Sequence, residues 1–186
     1  MIISISGKPG AGKSTLAKEL AKKLDWPVYS MGNLRRQTAQ ERGLTIAEFN
    51  TLGETDSETD LMVDRYQTEL GQEQDNFVIE GRTSWHFIPQ SFKIFLDVDK
   101  LIGAQRIWQA WQSKERSNED KNLNSLEAVL KSNQERVASD QRRYQKYFQI
   151  DVYDLSHYDY VLDTSRLNQA QVLQTVYDLV VRKLKM

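Results

Sequence analysis

The octapeptide GKPGAGKS, residues 7–14, follows the short apolar run IISIS and leads directly into KSTLAKELAKKL. It matches G-x-x-x-x-G-K-[ST] between a strand and a helix, and no other stretch constrains the fold as tightly. Glycines at 7, 10 and 12 let a loop wrap a polyphosphate with its N–H groups turned inward. The helix N-terminus adds partial positive charge. The spacing predicts that Gly7, Lys8, Pro9, Gly10, Ala11, Gly12, Lys13, Ser14 and Thr15 cradle a nucleoside triphosphate. In this arrangement Lys13 reaches the β- and γ-phosphates and Ser14 ligates Mg²⁺. No N-K-x-D guanine motif is present, so ATP is expected rather than GTP.

A loop of this kind caps a parallel sheet, and the rest of the chain supplies one. Short apolar runs at 2–6, 27–30, 76–81, 92–98 and 159–164 read as strands. Between them lie helical patterns at 13–24, 32–43, 45–54, 56–71, 99–112 and 125–148, with a closing helix at 168–184. Thr45 and Glu48 stand in capping-box spacing. The helix at 56–71 carries Leu61, Val63 and Tyr66. The fold class is α/β: a five-stranded parallel sheet covered by helices on both faces, with strands apolar on both sides. One domain over 1–186 is expected. Residues 112–125 are polar and the most loop-like stretch.

In such a fold ligands collect beyond the carboxyl ends of the strands. Those ends are Gly7, Ser30, Glu80-Gly81-Arg82, Asp97 and Asp163-Thr164. Glu80 suits the Mg²⁺ shell, and Arg82 suits a second phosphate. Arg35 and Arg36 are adjacent and cannot share one helix face; one is expected to be functional and the other solvated. Arg136, Asp140 and Arg143 fall on one helical face. They suit either a phosphate and a base amino group or a solvated ion pair. Arg106 precedes the polar stretch and can stack on adenine or screen phosphates. Trp108 and Trp111 read as packing residues, and His86 and His157 as structural or exposed.

The 186 residues carry a net charge of −1 and no cysteine. Disulfides and thiol chemistry are thereby excluded. The charge advertises no nucleic-acid partner, and no apolar run reaches membrane-spanning length. A cytoplasmic monomer is expected.

Across nearly its whole length the chain resembles the nucleoside monophosphate kinases, and among them the cytidylate kinases of the short archaeal (d)CMP type. The likeness runs through IISISGKPGAGKST, YSMGNLRR, ERGLTIAEF, DLMVDRYQ, VIEGR, IFLDV and QERVASDQRRYQKYFQIDVYDLSHYDYVLDTS. The last segment is the specific part.

The resemblance implies transfer of phosphate from ATP, with Mg²⁺, to CMP or dCMP. It implies that Arg36 and Arg82 hold the CMP phosphate. Ser30 would lie near the base, and Arg136, Asp140 and Arg143 would contact cytosine and phosphates. Lys13, Arg82, Arg106 and Arg143 would be catalytic, with Asp64 and Arg65 as lesser candidates. Helices at about 31–73 would bind the monophosphate, and 112–125 would be a short lid. Two stretches depart from the pattern. GRTS has Thr83 where many such kinases carry an acid, and RIWQA has Ala110 where related kinases carry a second arginine. The corresponding cation would then be Lys114, Arg116 or one of the Arg142-Arg143 pair. Rival readings are a kinase for AMP, UMP or a metabolite, and a nucleotide-binding regulatory protein weak in catalysis.

Overall fold

The computed structural model describes residues 1–113 and 124–185. Five strands, β1 (Ile2–Gly7), β2 (Val28–Ser30), β3 (Phe77–Glu80), β4 (Phe92–Asp97) and β5 (Tyr160–Asp163), form one sheet in the order β2-β3-β1-β4-β5. Every pairing is parallel, with Ile3 opposite Val78 on one side and opposite Phe92 on the other. The chain runs outward from β1 to one edge and then returns to build the other. That reversal opens a crevice at the carboxyl end of β1.

The connections are helical: α1 (Lys13–Leu24), α2 (Met31–Glu41), α3 (Ile46–Gly53), α4 (Glu58–Glu73), the short α5 (Ser84–Phe87), α6 (Lys100–Gln112), α7 (Leu126–Phe148) and α8 (Gln169–Leu184). Side-chain alternation along the strands divides the core into two layers. Ile3, Ile5 and Val78 pack with Leu16 and Leu20 of α1 and Val172, Val176 and Val180 of α8. Ile2, Phe77 and Ile79 face the other way, onto Met31 of α2 and Val63 and Leu70 of α4. Trp108 and Trp111 stack at 5.2 Å between ring centroids and pack with Ile107 and Val129, as expected for core residues.

Three expectations change. The sequence suggested strands apolar on both faces; β1 and β3 are buried throughout, but β2 and β5 are edges and half exposed. On α4 the buried face is Thr59, Asp60, Val63, Asp64, Gln67 and Leu70. Tyr66 is exposed and Leu61 only half-buried, so of the three residues singled out in the sequence only Val63 faces the core. Turn α5 was not foreseen, because four residues carry too little periodicity to read.

Candidate active site

The glycine loop is shaped by close backbone contacts. At Gly10 φ is +78°, and a Cβ there would run into the backbone of Gly103 on α6. Only glycine meets both demands. Gly12 then stands at the N-cap of helix α1, with no side chain to cap it, and the first turn holds no acid. Those first-turn N–H groups are the raw material of an anion site. Lys13 Nζ donates to the carbonyl of Lys8 at 2.8 Å, lying back across the loop. Lys8 itself pairs with Asp97 at 2.6 Å.

The carboxyl end of β3 faces the loop. Glu80 Oε1 accepts from Ser14 Oγ at 3.1 Å and from Ser30 Oγ. Ser30 also caps α2, accepting from Asn33 N–H at 3.1 Å. Hydroxyl and carboxylate oxygens beside a phosphate cradle form a hard donor set of the type Mg²⁺ takes alongside water and phosphate ligands. The residues therefore fit the ion.

Across the same cleft lies a chain of alternating charges. Arg82 Nε donates to Asp140 Oδ2 at 2.8 Å, and its NH1 to the Gly7 carbonyl at 2.7 Å. Arg143 donates through NH2 to Asp140 Oδ1 at 2.7 Å, and through NH1 to both oxygens of Asp60. Asp60 Oδ1 also accepts from Arg35 NH1 at 2.6 Å. The order is Arg82–Asp140–Arg143–Asp60–Arg35, three cations to two anions. Burial by itself would raise the Asp140 carboxyl. Arg82, Arg143 and Arg136 outweigh it and hold the group well below the usual carboxylate range. Burial likewise opposes charge on Arg82, but Tyr153 and Asp140 reverse the balance and raise its pKa.

The cleft gathers Gly10, Gly12, Lys13, Ser14, Thr15, Arg36, Glu80, Arg82, Arg136, Asp140 and Arg143 from the sequence candidates. Others are placed differently. Arg35 is not solvated: it is 9 % exposed, lines the cleft, and bonds Asn50 and Asp60. Arg36 lines the cleft too, donating to Asn33 Oδ1 at 2.5 Å. Asp140, read from the sequence as a partner for a base amino group, accepts in the structure from Arg82, Arg143 and Tyr153. The helical triad is not a solvated ion pair, since Asp140 and Arg143 are both buried.

Arg106 spends its terminal N–H groups on Thr164 Oγ1 and on the carbonyls of Thr164 and Leu167. It borders a neighbouring hollow of about 720 Å³ with Gly12, Thr15 and Leu167, which places it beside the loop's outer flank. Arg142 is not among the residues lining the cleft and pairs with Glu54 at 2.6 Å on the surface. Arg65 is exposed. Lys114 and Arg116, with most of the expected lid, lie outside the described residues.

Sequence reasoning missed Asp60, Asn50, Tyr153 and the role of Arg35. One signal was present: acids and an amide at 60, 64 and 67 share a helical face with Val63 and Leu70. Polar residues on a core-facing stripe need partners.

The family described as cytidylate kinase-like matches residues 2–166. The cytidylate kinase of Methanocella arvoryzae is 37% identical over 180 residues, covering 97% of each chain. That of Methanosphaerula palustris is 36% identical over 173 residues, covering 92% of this chain and 93% of its own. Among solved structures, an uncharacterized protein from Eubacterium ventriosum superposes with a TM-score of 0.69 at 17% identity, covering 100% of this chain and 98% of that one. Shikimate kinase from Bacteroides thetaiotaomicron superposes at 0.61 with 16% identity, covering 100% and 99%. At those identities the structural likeness speaks for the fold.

Proposed function

The chain belongs to the cytidylate kinase-like family, and on that footing we propose that it transfers the γ-phosphoryl group of ATP to CMP or dCMP. The observation that supports the reading is one cleft with cationic groups on two sides. The glycine loop with Lys13 forms one wall, and Arg36, Arg82, Arg136 and Arg143 line the other.

In the proposed reaction an oxygen of the acceptor phosphate attacks the γ-phosphorus, and the bond to the β-phosphate oxygen breaks. The attacking group is already an anion, so no side chain has to accept a proton. Catalysis is then alignment and charge stabilisation. Lys13 and the first-turn N–H groups of α1 bind the β- and γ-phosphates. Arg36 and Arg82 hold the acceptor phosphate, and Arg143 faces the charge that develops between the two. Asp140 and Asp60 position Arg82 and Arg143 ahead of the reaction, so little reorganisation is needed at the transition state. Ser14 and Glu80 would hold Mg²⁺, which neutralises phosphate charge when bound. Arg106 borders the adenosine side. Ser30 works through Glu80 and the start of α2. Helices within 31–73 form the acceptor wall of a single kinase domain, with residues 112–125 as its lid.

The reading includes a cytoplasmic monomer with no membrane or nucleic-acid partner. Among the described residues no helix is long and apolar enough to cross a membrane. The test is a screen of monophosphates with ATP and Mg²⁺, with the diphosphate product identified by mass spectrometry. CDP and dCDP are expected to dominate. Preference for another acceptor, or ADP release indifferent to CMP, would overturn the reading.

A further inference from the structure

One buried polar cluster remains once the phosphate-binding parts are assigned. Asp64, on α4, is 4 % exposed and lines the cleft next to Val63, Arg82 and Thr83. Its Oδ1 accepts from Gln67 Nε2 at 2.9 Å and from Thr83 Oγ1 at 3.3 Å. Gln67 Nε2 also donates to Thr83 Oγ1 at 2.9 Å, which fixes the amide's orientation. The other carboxylate oxygen, Oδ2, is buried and accepts nothing, and Gln67 Oε1 is in the same state. The cluster is therefore short of donors, and a buried acceptor without a donor is costly.

For the ionised carboxylate, a molecule entering the cleft can supply the missing donor. A phosphate offers none and would be repelled by the carboxylate. The donors of a pyrimidine nucleotide are its ribose hydroxyls and, in cytosine, the exocyclic amino group. Uracil has a carbonyl acceptor where cytosine has that amino group. The apolar side chains of Val63 and Met31 also line the cleft and suit the face of a flat base better than a sugar. We propose that Asp64 selects cytosine over uracil in the acceptor, its Oδ2 accepting a hydrogen bond from the exocyclic amino group. Thr83 and Gln67 are positioning residues that turn the carboxylate toward the base. The inference rests on the proposed CMP kinase activity.

Protonation gives a second handle. Burial, and then the charge of Asp60, push Asp64 up to about 7, against Gln67, Thr83 and Arg35, which favour the anion. These groups come from α4 itself, from α2 and from the turn after β3, the elements that wall the cluster. The protonated carboxyl would set an O–H against the amino group but could donate to the uracil carbonyl. Selectivity for CMP therefore belongs to the ionised form, and falls as pH drops through about 7.

The experiment compares kcat/KM for CMP, dCMP and UMP between pH 6 and 8 in wild type, Asp64→Asn and Thr83→Val. Each variant's thermal melt is recorded as a check on folding. The CMP-to-UMP ratio removes the titration of the substrate phosphates, which both nucleotides share. In wild type this ratio should fall toward pH 6. In Asp64→Asn it should be lower by about tenfold or more and flat with pH, with dCMP following CMP. Thr83→Val, which keeps the carboxylate, should shift the ratio less.

Equal losses for CMP and UMP, or a loss for CMP that spares dCMP, would overturn the base-reading role. So would a wild-type ratio that ignores pH, a result that stands even if Asp64→Asn does not fold. A wild type that favours a non-cytosine acceptor refutes the kinase reading as well, whereas CMP selectivity unmoved in Asp64→Asn refutes the Asp64 assignment alone.

Discussion

Replacing Asp140 by Asn removes one charge from the centre of the Arg82–Asp140–Arg143–Asp60–Arg35 chain. Asp140 is 3 % exposed and Arg143 is 1 % exposed, so the two guanidiniums it holds have little water to turn to. Removing one member of a buried ion pair costs about 3–5 kcal/mol. A solvated intrahelical pair, the alternative left open by the sequence, would cost only about 0.2–0.5 kcal/mol. For a chain of this length each kcal/mol lowers Tm by about 2–4 °C, so the expected drop is roughly 6–20 °C.

Calorimetry at pH 7 measures the drop, with Arg142→Ala as the control. That side chain is 60% exposed in its pair with Glu54, and its loss should leave Tm close to wild type. The pH dependence has a definite sign. Because the folded protein depresses the Asp140 pKa, its contribution is complete above the unfolded carboxylate value of about 3.9 and fades as pH falls below it. The gap between wild type and Asp140→Asn should therefore narrow in acid. A pH 7 difference under about 1 kcal/mol would refute the idea that this carboxylate anchors the site.

The glycine loop supplies two more tests. Lys13→Ala should lower kcat by about a hundredfold or more while leaving the melting temperature close to wild type, measured by coupled ADP release and circular dichroism. Gly10→Ala should lose both stability and ATP binding, because the new Cβ meets the Gly103 backbone at a φ of +78°; a soluble variant with wild-type Tm would contradict the loop geometry.

The local features were readable along the chain because their causes are local. The start of α1, the capping box at Thr45 and Glu48, and the five strand ends all arise from neighbouring residues and appear where expected. The glycine loop is a contiguous motif, so its place between β1 and α1 was legible before any fold was known. Resemblance extended that to the arginines of the acceptor side. It did not reveal that Arg35 is buried and Arg142 exposed, because helix spacing says which residues share a face and not what the face meets.

What the sequence alone determined is the glycine loop between a strand and a helix, and the parallel sheet under it. Only the tertiary structure decided which charges neutralise one another. The Asp60–Arg143 contact joins residues 83 positions apart, and the Arg82–Asp140 contact joins residues 58 apart. Only packing of α4, α7 and the turn after β3 around one cleft brings those groups together. The same packing spends the Asp140 carboxylate on two arginines and leaves the Asp64 oxygen unpaired, because a carboxylate has few acceptor positions and the fold determines which donors can reach them.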